Sequence, residues 1–327
     1  MKKERLNEDG LLIKAEAETD PSYGKKPEER EIEELIERGI VNLDKPRGPS
    51  SHEVVAWIKR IMQLRKAGHG GTLDPKVSGV LPVTLEKSTK ISHVLLPSDK
   101  EYVCVMRLHG DVSEDKILSV IEEFVGVIYQ RPPLKSAVRR RLRRRRIYYI
   151  EDVEIRGRDV LMRIGCEAGT YMRKLCVDIG DVLGVGAHMA ELRRTKTGVF
   201  SEEDSVTLQD LVDAYFFWKE DGEEKFLREM IKPVEFAVSG LPKVYIRDTA
   251  VDAICHGASL TAPGVVKLSP KIKEGDVVAI FTLKGELVAL GKSLKSSKEI
   301  FEARRGLMIR NWKVLMEPGT YPRFWGT

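Results

Sequence analysis

The spacing of apolar and polar positions divides the chain into two stretches of different rhythm. Up to about residue 241, segments with helical spacing mix with extended segments. Residues 32–40 predict a short helix stopped by Gly39, and 40–45 a strand running into the turn Pro46-Arg47-Gly48-Pro49. Ser50 or Ser51 then caps a helix carrying Val54, Val55, Ile58 and Ile61 at helical spacing. Residues 65–79 predict a Gly-rich loop and 102–108 a strand. Ser113 caps a helix over 114–124 that Gly126 ends, and prolines keep 128–133 extended. Two strands near 150–155 and 160–166 lead to Gly169-Thr170-Tyr171-Met172-Arg173 and a helix over 173–183, with Leu175, Cys176, Ile179 and Leu183 on one side. Strands and helices without strict alternation predict an α+β fold with a mixed or antiparallel sheet.

Beyond Leu241-Pro242 the rhythm changes to short extended runs, such as 265–268, 276–281 and 287–291. Turn signals at Pro263-Gly264, Lys284-Gly285 and Pro318-Gly319 separate them, which predicts a small β-barrel or sandwich. Residues 1–34 are polar, with Pro21, Gly24 and Pro27, and read as a tail or an arm packed on another domain. The expected division is therefore 1–34, 35–241 and 242–327. No internal repeat is found.

Composition narrows the class. Of 327 residues 42% are apolar, enough for a real core, so general disorder is excluded. Charged residues reach 32%, above the roughly 25% of average soluble proteins, a density typical of thermophile ion-pair networks. Cys104, Cys166, Cys176 and Cys255 form no C-x-x-C, and no His stands at ligand spacing from them. They read as reduced thiols in apolar segments, and no metal is expected. The charged N-terminus predicts no signal peptide. The lack of an apolar run of about 18 residues predicts no membrane span. The expected location is the cytoplasm.

Net charge is only +5, from 55 Lys and Arg against 50 Asp and Glu, but it is unevenly placed. Residues 139–146 hold seven arginines in eight. Within a folded domain that self-repulsion asks for a partner, and phosphates fit it, since Arg binds them bidentately. Arg143, Arg144, Arg145 and Arg146 are thus candidate RNA-backbone contacts, and Lys45, Arg47 and Lys66 extend the strip.

Candidate chemistry lies in Gly68-His69-Gly70-Gly71-Thr72-Leu73-Asp74-Pro75-Lys76-Val77-Ser78-Gly79. Four glycines and a proline surround one carboxylate. Pro75 restricts Asp74 to extended conformations, so the loop is rigid and open. It lacks the Gly-Lys-Ser/Thr ending of a phosphate-cradling loop. On composition alone Asp74 reads as a turn-forming residue.

The string Gly70-Gly71-Thr72-Leu73-Asp74-Pro75 also resembles the motif of the pseudouridine synthase family that contains the bacterial tRNA uridine-55 enzyme and eukaryotic dyskerin. Further motifs follow in order. Asn42-Leu43-Asp44-Lys45-Pro46-Arg47-Gly48-Pro49-Ser50-Ser51 resembles the family's first motif, which packs beside the active site, and Glu101-Tyr102 its active-site Tyr strand. Gln130-Arg131-Pro132-Pro133-Leu134-Lys135-Ser136-Ala137 is similar to a segment lining the RNA cleft. Gly169-Thr170-Tyr171-Met172-Arg173 resembles the motif whose Arg pairs with the catalytic Asp, and Leu192-Arg193-Arg194-Thr195 a segment touching the target base. The resemblance runs over about 35–325, is greatest to archaeal dyskerin homologues, and departs only with Ala168 and Ser78 where relatives often have Ser and Thr.

The resemblance implies isomerisation of uridine to pseudouridine without a cofactor. It implies Asp74 as the catalytic residue, Arg173 holding it ionised, and Tyr102 stacked on uracil and a candidate proton acceptor. His69 would help fill the stack vacated by the flipped base, and Leu192 would wall the pocket. A C-terminal PUA barrel would hold the lower stem and ACA trinucleotide of an H/ACA guide RNA, with His256-Gly257-Ala258 near its first turn and Lys267 beyond. The implied partners are that guide, its rRNA or tRNA target, and small H/ACA subunits. The latter are homologues of nucleolar protein 10, of the Gly/Arg-rich protein and of the kink-turn-binding ribosomal-type protein. The competing readings are a stand-alone tRNA uridine-55 synthase and a non-catalytic RNA-binding scaffold.

Overall fold

The computed structural model describes residues 6–132, 139 and 141–324. Pro133 to Ala137 of the cleft segment, and Lys135 and Arg140 of the basic block, lie outside the described residues. The chain forms two compact units. One is residues 41–84 with 92–230; the other gathers 1–40, 85–91 and 231–327.

The first unit is built on a mixed sheet. Its strands run in the order Gly39–Lys45, Ser78–Leu85, Ala187–Thr197, Lys100–Leu108, Asp159–Cys166, Arg143–Arg156 and Gly126–Gln130. Most neighbours are antiparallel, whereas Ser78–Leu85 and Ala187–Thr197 are parallel. The helices Glu114–Glu123 and Met172–Leu183 cover one sheet face. Ile117, Ile121, Leu175, Cys176 and Ile179 pack there on Cys104, Met106, Met162 and Ile164, all at most 2% exposed. The predicted faces of the two helices are thus the buried ones.

Ser50 caps the Ser51–Ile61 helix, accepting from Glu53 N while the Glu53 carboxylate accepts from Ser50 N. One expectation needs correction. The 65–79 loop is shorter, because Ala67–His69 is a strand paired to Ser78–Leu85. Arg143–Arg146 of the basic block begins a 14-residue strand, and Leu192 also lies on a strand. In each case cross-strand pairing decided the conformation, and local residue spacing does not report it.

In the second unit a seven-stranded sheet runs Leu12–Ile13, Val265–Leu268, Lys243–Ile246, Val277–Phe281, Leu287–Ser293, Leu307–Val314 and Leu260–Thr261. It encloses Val251, Ile254, Ile280, Val288 and Ile309. The N-terminal segment contributes the Leu12–Ile13 strand, antiparallel to Val265–Leu268. No described helix is long and apolar enough to cross a membrane.

Candidate active site

The loop carrying Asp74 is fixed by side chains from distant parts of the chain. Ser51, fully buried at the start of its helix, accepts from Leu73 N at 2.8 Å and donates to Leu73 O at 3.0 Å. Lys45, also fully buried, donates to Pro46 O at 2.7 Å and Val77 O at 2.8 Å, with Pro75 O at 3.5 Å. Gly48 N donates to Pro75 O. The Arg194 guanidinium donates to Val80 O at 2.8 Å and Gly71 O at 3.1 Å. The backbone on both sides of Asp74 is therefore held, while its carboxylate stays 56% exposed.

Arg173, on the first turn of the Met172–Leu183 helix, reaches that carboxylate through its Nη2 and is equally open to solvent. An exposed pair adds little stability, roughly 0–1 kcal/mol, so its effect is on position and charge rather than folding. The helix start is itself placed by Gln130, whose side chain accepts from Tyr171 N at 2.9 Å and donates to Tyr171 O at 3.1 Å.

Tyr102 is half-buried and stands opposite Arg194 across the ladder. Burial pushes its phenol up, with the Arg194 charge opposing, so it is neutral at neutral pH. His69 is half-buried, its ring edge-on to His52 with centroids 5.1 Å apart. Burial, helped by His52 and Arg194, holds the imidazole below its ordinary value. A neutral flat ring beside the loop suits stacking better than acid catalysis. Leu192 packs partly into the core behind Tyr102, opposite Cys104.

Lys45 requires correction as an RNA contact. It is fully buried, its donors face carbonyls, and burial lowers its ammonium below the ordinary value. It shapes the loop from beneath. Arg47 is exposed and paired with Glu191 at 3.0 Å, and Lys66 is exposed. The arginine strand divides by its pleat. Arg144 and Arg146 are exposed, while Arg143 and Arg145 are half-buried. Arg145 donates to Gly169 O at 3.0 Å, bracing the turn before Arg173.

Residue spacing missed four contributors. Ser51 registers in the sequence as a possible helix cap and as the end of the first motif, with no sign of its bonds to Leu73. Arg194 acts through backbone carbonyls far along the chain, and Lys100 through carbonyls of the turn just before it. Lys100 is buried and donates to Leu96 O at 2.8 Å and to Ser98 O; burial, with the Arg194 charge, lowers it to about 8. Glu101 gathers Tyr149, Arg163 and Thr195. The four cysteines are free and buried. Among the described residues no group of three His, Cys, Asp or Glu could hold a metal.

In the second unit a cleft of about 1100 Å³ is lined by Lys14, Arg247, Ser259, Thr261 and Arg304 among others. His256 follows the Asp248–Cys255 helix rather than a strand turn, and Lys267 lies over the Tyr245 ring at 4.3 Å.

The first unit thus presents an exposed Asp–Arg pair on a buttressed Gly-rich loop, and the second a cleft with basic side chains in its lining, features that suit an enzyme acting on a polyanion. Family comparison fixes which one. Residues 59–172 match the TruB family pseudouridylate synthase N-terminal domain, 173–239 the tRNA pseudouridylate synthase B C-terminal domain, 242–315 the PUA domain and 3–55 the DKCLD domain. A probable tRNA pseudouridine synthase B of Methanopyrus kandleri is 64% identical over 97% of this chain and 94% of its own. That of Pyrococcus furiosus is 61% identical over 96% and 93%. Two solved structures are similar throughout. An H/ACA RNP bound to a substrate RNA containing 2'-deoxyuridine has a chain with TM-score 0.91 and 58% identity, covering 96% of this chain and 97% of that one. A Cbf5-Nop10-Gar1 complex has one with TM-score 0.93 and 61% identity, covering 96% of each. The chain belongs to the TruB family of pseudouridine synthases, with the DKCLD and PUA domains expected of a dyskerin homologue. It is an isomerase of the α+β class, as the sequence predicts.

Proposed function

We propose that this chain is the catalytic subunit of a guide-RNA-directed H/ACA ribonucleoprotein, converting uridine to pseudouridine in rRNA, with tRNA uridine 55 as a further substrate. The observation that carries the chemistry is the Asp74–Arg173 pair, open to solvent on a loop held from behind. The reaction breaks the uracil N1–ribose bond, turns the base and joins ribose to carbon 5; the carbon-5 proton leaves and N1 is protonated.

In this reading Asp74 supplies the nucleophile or charge stabiliser at the ribose or base, and Arg173 keeps it ionised and aimed. Tyr102, a neutral phenol, stacks on the uracil; its high proton affinity makes it a poor resident base at neutral pH. His69 fills the space left by the flipped base, and Leu192 limits the pocket. No cofactor takes part. Arg144 and Arg146 contact phosphates, and the Lys14–Arg247–Arg304 cleft in the second unit suits the guide's lower stem.

Three segments divide the work: an N-terminal arm over 1–34, a catalytic domain over 35–241 and a PUA domain over 242–327. The partners are those of the similar assemblies, Nop10 and Gar1 homologues with guide and target RNA, together with a kink-turn-binding protein, in the cytoplasm. A second reading is a stand-alone tRNA uridine-55 synthase, favoured by the names of the curated relatives. Mapping pseudouridines made by the purified protein separates the two. Modification of the guide-matched uridine only when guide and partners are added supports the first. Full activity on tRNA alone, with none on guided targets, supports the second.

A further inference from the structure

The N-terminal segment is tied to the second unit by more than its Leu12–Ile13 strand. Lys14 N and Ala15 N donate to Val266 O at 2.8 and 3.1 Å, and the Lys14 side chain reaches the end of the Ser297–Glu302 helix. There its ammonium donates to Ile300 O at 2.9 Å, to Phe301 O at 3.2 Å and to Ala303 O. Carbonyls at a helix C-terminus lack partners within the helix and carry partial negative charge, so a cation over them is favoured. Further along, Thr19 Oγ1 and Asp20 N both donate to Asp248 Oδ2, at 3.0 and 2.9 Å.

Both anchor points adjoin cations of the 1100 Å³ cleft. Phe301, Ala303 and Arg304 line it, and so does Arg247, the residue before Asp248. Arg304 is exposed, and among the described residues no hydrogen bond or ion pair engages its guanidinium. Resting on the reading of this cleft as the seat of the guide's lower stem, we propose that residues 14–20 are a strap that positions its phosphate-binding arginines. Lys14 sets Arg304, and Thr19 with Asp20 sets Arg247. Lys14 is thus a positioning residue and not an RNA contact, since its ammonium already meets three carbonyls. A guanidinium binds phosphate in a fixed plane, so backbone left unheld beneath it must be ordered on binding, and that ordering lowers affinity.

The test is a double-mutant cycle on guide-RNA affinity, measured with the full chain at one fixed salt concentration. It compares wild type, Lys14→Met, Arg304→Ala and the two combined. Lys14→Met alone should weaken guide binding roughly 10-fold, the loss expected from one misaligned charge-assisted contact. Added to Arg304→Ala it should weaken binding by less than about 2-fold, because the residue it positions is gone. Equal losses in both backgrounds, as direct RNA contact or general destabilisation would give, overturn the proposal. So does wild-type affinity in Lys14→Met. Should Lys14→Met not fold, Thr19→Val against Arg247→Ala makes the same cycle at the other anchor, and additive losses there overturn the proposal equally. Wild-type guide affinity in a chain carrying both Arg247→Ala and Arg304→Ala would instead overturn the underlying reading of the cleft.

Discussion

At the residue scale, the groups proposed to do chemistry and the groups that hold their loop differ in burial, and this separates their expected phenotypes. Arg173 is exposed and its pair with Asp74 contributes about 0–1 kcal/mol, so Arg173→Ala should leave the urea midpoint nearly unchanged. It should nonetheless slow isomerisation by roughly 100-fold, since the carboxylate loses its orientation. Ser51→Ala should do the reverse in part. It leaves the buried Leu73 N–H without its acceptor and should cost about 1–3 kcal/mol in urea unfolding. Motif order singled out Asp74, Tyr102 and Arg173, each in a short ordered string, and the fold brings Asp74 and Arg173 into contact. It did not single out Ser51, Lys45 and Arg194 as braces. Each reaches the loop across 22 to 123 residues of chain, and no local pattern records such a contact.

At the element scale, four strands converge on one carboxylate. Glu101, on Lys100–Leu108, accepts from Tyr149 on Arg143–Arg156, Arg163 on Asp159–Cys166 and Thr195 on Ala187–Thr197. Burial pushes its carboxyl up, but these three donors outweigh burial and leave it below the usual value. A folded-state value below the unfolded one gives stability that is present at neutral pH and lost as pH falls through the carboxylate range. Chemical denaturation should therefore show Glu101→Gln less stable at pH 7, with the gap to wild type closing in acid. A constant gap would remove ionisation from the account.

The arginine strand is the element whose conformation the sequence hid. Seven arginines in eight residues show no strand pattern, and only pairing with Gly126–Gln130 makes residues 143–146 a strand. Pleating then splits them. Replacing exposed Arg144 and Arg146 with Ala should lower the slope of log affinity against log salt by roughly 1 to 2, with little change in stability. Replacing Arg145, which braces Gly169, should lower stability and activity with less effect on that slope.

At the scale of the whole molecule, the α+β class and the change of rhythm at residue 242 were readable from periodicity. The discontinuity of the second unit was not, because residues 1–40 and 85–91 join it only through long-range packing. Arg30 shows how that unit is locked. Only 3% exposed, it forms a bidentate pair with Glu235 at 2.7 and 2.8 Å, and Glu235 also accepts from Leu287 N. Arg30→Ala strands a buried carboxylate and should destabilise the protein by about 3–5 kcal/mol, read by thermal unfolding. The central claim remains that a uridine delivered by RNA is isomerised at Asp74. Its most direct test is single-turnover pseudouridine formation by Asp74→Asn in the guide-RNA complex, with RNA affinity measured alongside. The account predicts product at background and affinity equal to wild type; product formed at the wild-type rate would contradict it.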